Sequence, residues 1–463
     1  MNQYNYTIVG GGIAGLLASI LLKRHKPNIS VCIIESEEEC GGLLRSIKTP
    51  EGYEFDYGTH ILGETGVEEL DEIIMPEMPS EQWSSLPILK HGNFVNGYYY
   101  KLSQLIYANA LPQGILEKST YQMLAADASL AQKANNLEDY CQNTYGKVFT
   151  ESLFSPLMKK LLNAELKDLH PNTLKLFGYE RLIIGPGHMM RELKKTDRLN
   201  DILGFESYNE GVSSLNNYYP KKGKGIGLWI DMLLEKAQAL GVDILTNTTI
   251  NDISFTNNKI KQLTTTNSEH TKLNVEKLIW TAPLFPLIHL AKLNFEPQYK
   301  PTICKIIILN FVFDRPFITH NFHVYCNDPA MQSFRITLYP NIVEEGETNG
   351  DYRCTVEILS HDNNEATAQS IADREEDILQ ELVTIGVVSE DALVTYRNTV
   401  FTKNGFPVYT NAFVNELERQ RNCVTEQITN IKLLGKASAK SFFMADVLKE
   451  VFNTPLDDYM DNI

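Results

Sequence analysis

A glycine-rich turn, Gly10 to Gly15, constrains the fold of this chain more than any other feature of its sequence. A β-branched run at residues 6–9 precedes the turn, and the apolar residues 16–22 that follow it are typical of a core-facing helix. A second apolar run at residues 30–34 comes next and ends at Glu35. The order strand, glycine turn, helix, strand and acid is typical of a dinucleotide-binding βαβ unit. The alternative is a glycine-rich turn that binds no ligand.

Each glycine of such a turn has a steric role in dinucleotide binding. Gly10 permits the tight turn, Gly12 lets a pyrophosphate approach the backbone, and Gly15 lets the helix pack against the strand. The free N–H groups and the positive dipole end of the helix favour phosphates. Glu35 can accept the hydroxyls of an adenosine ribose. We therefore expect the dinucleotide to contact Gly10, Gly12, Ile13, Ala14, Gly15, Glu35 and Ser36.

Two further glycine segments follow this unit. Cys40-Gly41-Gly42-Leu43 comes shortly after the acid, and Asp56-Tyr57-Gly58-Thr59-His60-Ile61 comes after a turn at residues 50–52. Here the sequence resembles the flavoprotein group that includes amine oxidases, protoporphyrinogen oxidase and UDP-galactopyranose mutase. The resemblance implies FAD rather than NAD. It implies pyrophosphate contacts at Gly41, Gly42 and Leu43 and isoalloxazine contacts at Gly58, Thr59, His60 and Ile61. For His60, the alternative is a core histidine whose hydrogen bonds are satisfied.

Later segments extend the resemblance over nearly the whole chain. Residues 219–230, a tyrosine-proline pair followed by glycines and an amphipathic helix, resemble the UDP-galactopyranose mutase branch most. The resemblance also implies an adenine contact at Ile250 and flavin contacts at Gly435, Met444 and Ala445. The chain departs from the mutase pattern where Leu62-Gly63 replaces a second histidine, and where Lys436 and Phe442 replace an arginine and a tyrosine. These departures concern the mutase reaction and not FAD binding.

Two arginines are candidates for contact with an anionic substrate. In the mutases, a segment similar to residues 333–341 carries an arginine to the substrate diphosphate, and here that arginine is Arg335. A second mutase arginine lies in a segment resembling Tyr179-Glu180-Arg181. A pair of arginines suits a pyrophosphate because each planar guanidinium binds two oxygens at once. The predicted catalytic residues are thus His60, Arg181 and Arg335, and the alternative for each arginine is a structural ion pair.

The whole pattern predicts an α/β fold. We expect a Rossmann-like FAD-binding domain of the glutathione-reductase type, an inserted helical region and a mixed or antiparallel β-sheet substrate domain. The predicted FAD-binding domain comprises residues 1–100, 216–295 and 401–463, the helical insertion residues 101–215, and the substrate-side sheet residues 296–400. Asn96-Gly97, inside an alternating segment, predicts a hairpin.

Charge and cysteine content limit the partners and the location. The 42 basic against 58 acidic residues give a net charge of −16, which argues against a general nucleic-acid binder. The seven cysteines are dispersed, as is typical of reduced thiols in a cytoplasmic protein, and their spacing predicts no metal site. No apolar run approaches the roughly 20 residues that span a bilayer. Oligomeric state, peripheral membrane contact and a reductant such as NAD(P)H stay open.

Three functions are compatible with these features. The first is a flavoenzyme that resembles UDP-galactopyranose mutase and acts on a nucleotide-diphosphate sugar, as a ring-contracting mutase or through related flavin chemistry. The second is an oxidoreductase of the amine oxidase or protoporphyrinogen oxidase type, which takes a hydride into flavin N5. The third is a non-catalytic binder similar to the Rab GDP-dissociation inhibitors. Glu35 and the two glycine segments argue against the third.

Overall fold

The computed structural model describes residues 2–343, 350, 352–361, 368–402, 405–441 and 443–456. Its strands are β1 (Asn2–Val9), β2 (Val31–Ile34), β3 (Ser46–Lys48), β4 (Glu54–Asp56), β5 (Leu62–Gly63), β6 (Trp83–Ser85), β7 (His91–Val95), β8 (Tyr98–Tyr100), β9 (Ile106–Tyr107), β10 (Leu182–Ile183), β11 (Asn217–Pro220), β12 (Val242–Leu245), β13 (Ile250–Thr256), β14 (Lys259–Thr265), β15 (Lys272–Trp280), β16 (Ile303–Phe313), β17 (His323–Cys326), β18 (Ser333–Leu338), β19 (Tyr352–Ser360), β20 (Val394–Phe401), β21 (Phe406–Pro407) and β22 (Ile431–Leu433). Its helices are α1 (Ile13–His25), α2 (Glu68–Ile74), α3 (Gln113–Ala125), α4 (Ala128–Ala131), α5 (Leu137–Tyr145), α6 (Lys147–Phe149), α7 (Ser155–Leu162), α8 (Thr173–Phe177), α9 (Gly187–Leu193), α10 (Asp197–Ile202), α11 (Gly227–Ala239), α12 (Leu284–Leu290), α13 (Ala368–Ile385), α14 (Asn411–Gln427) and α15 (Met444–Asn453).

The first sheet has a parallel core in the order β12–β2–β1–β15–β22, and the β13–β14 hairpin pairs with the first part of β15. Val9 at the end of β1 pairs with Ile34 of β2 and with Trp280 of β15. The carboxyl ends of these strands therefore meet at the glycine turn, from which α1 crosses to β2. The predicted order of strand, turn, helix and strand is confirmed, and with it the Rossmann-like α/β fold.

Helices cover both faces of the first sheet. On one face, α1, α11 and α15 enclose a core that includes Leu16, Trp229 and Leu448. On the other face, α12 and α14 contribute Leu287 and Val424 to a second core. A strand that is covered on both faces need not alternate apolar and polar residues. This explains why the strand at residues 31–34 is a continuous apolar run.

The region predicted as a helical insertion is mainly helical. Helices α3 to α10 lie in it and enclose a separate apolar core that includes Phe149, Phe154 and Leu161. The two-residue strands β9 and β10 pair in parallel at its edge. The exact domain boundaries stay predictions.

The second sheet is mixed, in the order β20–β16–β19–β18–β17–β7–β8, with β21 beside the start of β16. Strands β7 and β17 are parallel, and the other neighbouring pairs are antiparallel. The β7–β8 hairpin turns at Asn96 and Gly97, whose φ angles of 49° and 72° are those that an Asn-Gly turn favours. This hairpin joins the second sheet, although residues 91–100 fall within the predicted first part of the FAD-binding domain.

The second sheet has one apolar and one polar face. The apolar face packs against α13 through residues such as Ile378 and Leu382. The opposite face, called here the polar face, carries two rows of cross-strand neighbours. The first row is Asn93, Tyr325, Arg335 and Glu357, and the second is His91, His323, Thr337, Thr355, Asn310 and Asn398. Both rows lie on one face because residues two apart on a strand point the same way.

All seven cysteines are buried free thiols. Among the residues that the structure describes, no helix combines the length and the apolar character needed to cross a membrane.

Candidate flavin-binding and active site

The glycine turn between β1 and α1 has a backbone that side chains would obstruct. Gly10 has a φ of 105°, and a Cβ there would lie 2.3 Å from Thr281 Oγ1. A Cβ on Gly15 would lie 2.0 Å from the carbonyl oxygen of Gly10. The tight turn and the close approach of helix to strand therefore require glycine at these two positions.

Packing within the protein does not require glycine at position 12, because a Cβ there would meet no protein atom within 4 Å. Gly12 precedes α1, and no side chain caps the first N–H groups of that helix. Gly42 lies beside it, since a Cβ on Gly42 would be 3.8 Å from the Gly12 Cα. The N–H of Gly41 donates to the carbonyl of Gly11 at 2.8 Å and joins the two glycine segments. The open, uncapped helix end fits a pyrophosphate.

The carboxylate of Glu35 has a structural role that the sequence did not indicate. Its Oε2 accepts the N–H of Gly11 at 2.7 Å, and its Oε1 accepts the N–H of Glu37 at 3.0 Å and the hydroxyl of Ser36 at 3.2 Å. The carboxylate has about four lone-pair sites, and these contacts use three of them, so Glu35 can hold the turn and still accept a ribose hydroxyl at Oε2.

The later segments converge on the same end of the first sheet. The N–H of Thr248 donates to the carbonyl of Glu35 at 2.9 Å, two residues before half-buried Ile250. A Cβ on Gly435 would lie 3.1 Å from the Cβ of Ala14 in α1 and 3.8 Å from Val447 in α15. The starts of α1 and α15 thus meet at Gly435, with Met444 and Ala445 opening α15. Phe442 lies outside the described residues.

Asp56 anchors the segment that carries Gly58 and His60. Its carboxylate is fully buried and accepts the N–H of Ile226 at 2.9 Å and the hydroxyl of Tyr219 at 2.7 Å. Its own N–H donates to the hydroxyl of Tyr339, the residue directly after β18 of the second sheet, at 2.9 Å. Burial raises the pKa of Asp56 to about 7. One residue therefore holds β4 against the start of α11 and against the second sheet.

Gly58 lies against a buried ion pair on the polar face. Arg335 Nε donates to Glu357 Oε1 at 2.6 Å, and the side chains are 19% and 2% exposed. A Cβ on Gly58 would lie 3.1 Å from Glu357 Oε2 and 3.2 Å from Arg335 Nη2. Arg335 therefore reaches residues 57–61, called here the flavin-side segment. Its charge is paired with Glu357 at that place, and such a structural ion pair is the alternative role that the sequence analysis left open for this arginine.

Three histidines lie near Arg335. Burial, together with the charge of Arg335, lowers the pKa of His60 and of His91 to about 4. Burial and the neighbouring His91 and Arg335 lower the pKa of His323 well below its ordinary value. The rings of His91 and His323 stack at 5.2 Å between centroids. All three imidazoles are therefore neutral at pH 7.

Arg181 lies elsewhere. Its exposed side chain donates from Nε to the carbonyl of Asp201 at 3.4 Å, and it lines a separate cavity with Tyr140 and Glu180. The structure thus places Arg181 at an exposed position beside Asp201, whereas Arg335 is paired with Glu357 beside Gly58.

Sequence reasoning missed several residues of this region, namely Tyr325, Glu357, His91, His323 and Thr337. A signal for them exists in residues 353–358, where arginine, threonine and glutamate alternate with cysteine, valine and isoleucine. Such alternation predicts a strand with one polar face. It does not show that this polar face is buried, which depends on the packing of the sheet against residues 54–60.

Comparisons with known proteins agree with this geometry. A family model for a NAD(P)-binding Rossmann-like domain matches residues 8–72. The structure of reduced UDP-galactopyranose mutase superposes with a TM-score of 0.73 and 16% identity, covering 96% of this chain and 91% of that chain. A putative protoporphyrinogen oxidase from Exiguobacterium sp. 255-15 has a TM-score of 0.67 and 16% identity, covering 97% of each chain. Putrescine oxidase has a TM-score of 0.62 and 11% identity, again covering 97% of each chain. This chain therefore shares the fold of these three proteins.

The chain is also similar in sequence to known proteins over part of its length. A 1-hydroxycarotenoid 3,4-desaturase of Flavobacterium sp. (strain P99-3) is 26% identical over 287 residues, in a match that covers 57% of this chain and 54% of the relative. The protoporphyrinogen oxidase of Bos taurus is 30% identical over 109 residues, which are 23% of this chain and 22% of the relative. The chain thus spans about half the length of the first relative and less of the second.

The residues of this site fit FAD. The uncapped N-terminus of α1 and the open space at Gly12 suit the pyrophosphate. Glu35 suits the ribose, and the segment at Gly58 lies between the dinucleotide end of the first sheet and the polar face of the second. The residues that would hold the cofactor are those predicted around Gly10–Gly15, Glu35, Gly41–Leu43, Gly58–Ile61, Ile250, Gly435 and Met444–Ala445.

Proposed function

We propose that this protein is an FAD-dependent oxidoreductase that takes a hydride from a carbon of a small-molecule substrate. The substrate would lie between the segment at residues 57–61 and the polar face of the second sheet. The observation that carries the proposal is the ion pair of Arg335 with Glu357 directly beside Gly58. The positive charge nearest the flavin-side segment is neutralised inside the protein.

The electrostatics of this region favour hydride transfer over recognition of a diphosphate. The lowered pKa values of His60 and His91, about 4, and of His323 leave these side chains uncharged at pH 7. The paired Arg335 and Glu357 add no net charge. A buried diphosphate needs unpaired cations to offset the loss of its hydration.

The chain's own residues supply binding and exclusion of water. FAD, when bound, supplies an acceptor for two electrons and a hydrogen from carbon. The polar face closes one side of the site, and Gly58 lets residues 57–61 lie against Arg335 and Glu357 because it has no side chain. His60, neutral at pH 7, offers a ring nitrogen that can accept a hydrogen bond from a substrate group.

The second candidate is a mutase acting on a nucleotide-diphosphate sugar. Arg335 and its cross-strand neighbour Tyr325 favour it, because both lie on the polar face and Arg335 reaches Gly58. The likeness of fold to UDP-galactopyranose mutase is compatible with it. The exposed position of Arg181, whose Nε donates to the carbonyl of Asp201, argues against it as the second arginine of a buried diphosphate site.

Flavin spectroscopy on the purified protein separates these functions. A yellow protein with bound FAD excludes the non-catalytic binder that resembles GDP-dissociation inhibitors. The oxidoreductase proposal expects that UDP, GDP and dTDP leave the spectrum unchanged in both redox states. It also expects anaerobic bleaching by at least one hydride donor from a panel of protoporphyrinogen, putrescine and a 1-hydroxycarotenoid.

Arg335→Ala and Arg335→Lys distinguish the two enzymes. If a nucleoside diphosphate perturbs the flavin of the parent protein and Arg335→Ala weakens its binding by about 2–5 kcal/mol, the mutase replaces the oxidoreductase as the conclusion. Arg335→Lys would then restore only part of the affinity, because an ammonium lacks the two-pronged geometry of a guanidinium. Bleaching without nucleotide binding supports the oxidoreductase.

A further inference from the structure

Two of the segments expected to contact FAD are the two extensions of one hairpin. Strands β3 and β4 pair antiparallel, with Ser46 opposite Asp56 at the open end, and the turn at residues 49–53 closes the other end. The chain enters this hairpin from residues 41–43, called here the pyrophosphate segment, and leaves it into the flavin-side segment. The open end of the hairpin therefore sets how far apart the two segments lie.

Arg45 spans this open end. It directly precedes β3, and Tyr57 directly follows β4, each one position beyond the pair of Ser46 and Asp56. The Nε of Arg45 donates to the carbonyl of Gly42 at 3.0 Å, and its guanidinium carbon lies 5.2 Å from the centre of the Tyr57 ring. A guanidinium at such a distance over an aromatic ring is attracted by the negative face of the ring. One side chain thus contacts both segments.

The surroundings of Arg45 make these two contacts its main ones. Arg45 and Tyr57 are both half-buried, and a Cβ on Gly41 would lie 3.0 Å from the Cγ of Arg45, so the aliphatic stem packs against the pyrophosphate segment. Among the residues that the structure describes, no carboxylate forms an ion pair with Arg45, and its partners are the Gly42 carbonyl and the Tyr57 ring. Replacing Arg45 therefore leaves no acid unpaired.

FAD binds more tightly when both of its halves are held at once. The pyrophosphate half is expected at the start of α1 and at the pyrophosphate segment, and the isoalloxazine half at the flavin-side segment. If the protein already holds the two segments at the right separation, engaging the second half requires little further ordering. A residue that fixes this separation raises the affinity for whole FAD and leaves the affinity for one half alone unchanged.

We propose that Arg45 is a positioning residue that fixes the pyrophosphate segment relative to the flavin-side segment, acting through Gly42 and Tyr57. Neither Arg45 nor Tyr57 is among the cofactor contacts that the sequence predicts. The proposal requires no contact of Arg45 with the phosphates. It applies equally to the oxidoreductase and to the mutase, because both bind FAD.

Four variants separate positioning from charge and from general stability. Arg45→Met removes the donor and the cation and keeps an unbranched stem, whereas Tyr57→Leu removes the ring and Tyr57→Phe keeps it. Lys48→Met is the matched control, because Lys48 lies on β3 and lines the same cavity as Arg45. Its ion pair is with Glu39 at 4.0 Å, so this variant loses the same charge without touching either contact of Arg45.

The measurements are the affinities of the apoprotein for FAD and for ADP, which lacks the flavin half. Arg45→Met and Tyr57→Leu should each weaken FAD binding about tenfold, as expected for the loss of a hydrogen bond or a cation–ring contact. Both variants should bind ADP like the parent protein. Tyr57→Phe and Lys48→Met should bind both ligands like the parent.

Two further readouts distinguish positioning from a merely structural role. The combined variant of Arg45→Met with Tyr57→Leu should weaken FAD binding no more than Arg45→Met alone, because the two side chains act as one unit. At saturating FAD, the visible circular dichroism of the flavin should change in Arg45→Met and Tyr57→Leu, since the isoalloxazine surroundings shift. A general loss of stability lowers the Tm of the apoprotein and does not alter that spectrum.

Three results would overturn the proposal. Equal weakening of ADP and FAD by Arg45→Met would assign Arg45 to direct phosphate contact, and additive effects of Arg45→Met and Tyr57→Leu would show that the residues act independently. Unchanged FAD affinity and an unchanged flavin spectrum in both variants would show that the contact has no role in binding. If Arg45→Met does not fold, Tyr57→Leu and Tyr57→Phe carry the same comparison of FAD with ADP. Failure of the proposed function would appear differently, as bound FAD that no hydride donor bleaches.

Discussion

The carboxylate of Asp56 accepts the backbone N–H of Ile226, 170 residues later in the chain, at a distance of 2.9 Å. The contact joins β4 to the start of α11, where the chain returns to the first sheet after the helical insertion. Two more contacts complete this junction: Glu54 accepts the N–H of Gly225 at 3.2 Å, and Ser46 accepts the N–H of Gly227 at 2.9 Å. The N–H groups of residues 225–227 thus join the start of α11 to β3 and β4, which lie much earlier in the chain.

Asp56 should make stability depend on pH. Its pKa rises from an ordinary 3.8 to about 7 on folding, so the folded protein holds a proton that the unfolded chain releases between those values. The resulting stabilisation is complete below pH 3.8 and is lost as pH rises through about 7. The contribution of Asp56 to the free energy of unfolding should therefore fall over this range. Urea unfolding at several pH values should show a smaller fall for Asp56→Asn, and equal slopes would contradict the assignment.

Gly12→Val should abolish FAD binding while leaving the apoprotein folded. A Cβ at this position meets no protein atom within 4 Å, so the branched side chain enters only the space assigned to the pyrophosphate. The control is Gly15→Val, whose Cβ would lie 2.0 Å from the Gly10 carbonyl oxygen and should disrupt the fold itself. The Tm of each apoprotein and the flavin content after purification are the measurements. A Gly12→Val protein with full flavin content would refute the site.

Glu35→Ala should weaken FAD binding and also lower the stability of the apoprotein. Hydrogen bonds to a carboxylate contribute about 1.5–3 kcal/mol each, and Glu35 makes one to Gly11 in addition to those expected with the ribose. Titration of FAD into apoprotein measures the first effect and thermal unfolding the second. The flavin potential should change little, because the isoalloxazine ring lies at the other end of the cofactor. Unchanged FAD affinity would exclude the ribose role.

Glu357→Gln should destabilise the protein by about 3–5 kcal/mol, because it leaves Arg335 as an unpaired buried charge. The double variant Arg335→Met with Glu357→Met should recover most of the loss, since apolar side chains of similar size can replace a buried ion pair. Urea unfolding of Arg335→Met, Glu357→Met and the double variant measures the coupling between the residues. Additive effects would show that the pair has no joint contribution to stability.

The dinucleotide-binding unit could be predicted because its signals are local. Gly10, Gly15 and Glu35 lie within 26 residues, and each has a steric or hydrogen-bonding reason that the short segment itself supplies. The Asn96-Gly97 turn was predictable for the same reason, since its two left-handed residues need no distant partner. The hairpin's place in the second sheet was not, because parallel pairing with β17 joins residues more than 200 positions apart.

By itself, the sequence determined the Rossmann-like unit and the glycine positions, because turn geometry and helix ends act over a few residues, and its resemblance to flavoproteins indicated FAD. Only the tertiary structure decided that Arg335 is paired with Glu357, that Arg181 is exposed beside Asp201, and that His91, His323 and Thr337 are buried cross-strand neighbours. These side chains come from strands that are distant in the chain. Their contacts and their lowered pKa values exist only once the sheet is in register and packed against the segment that Asp56 holds.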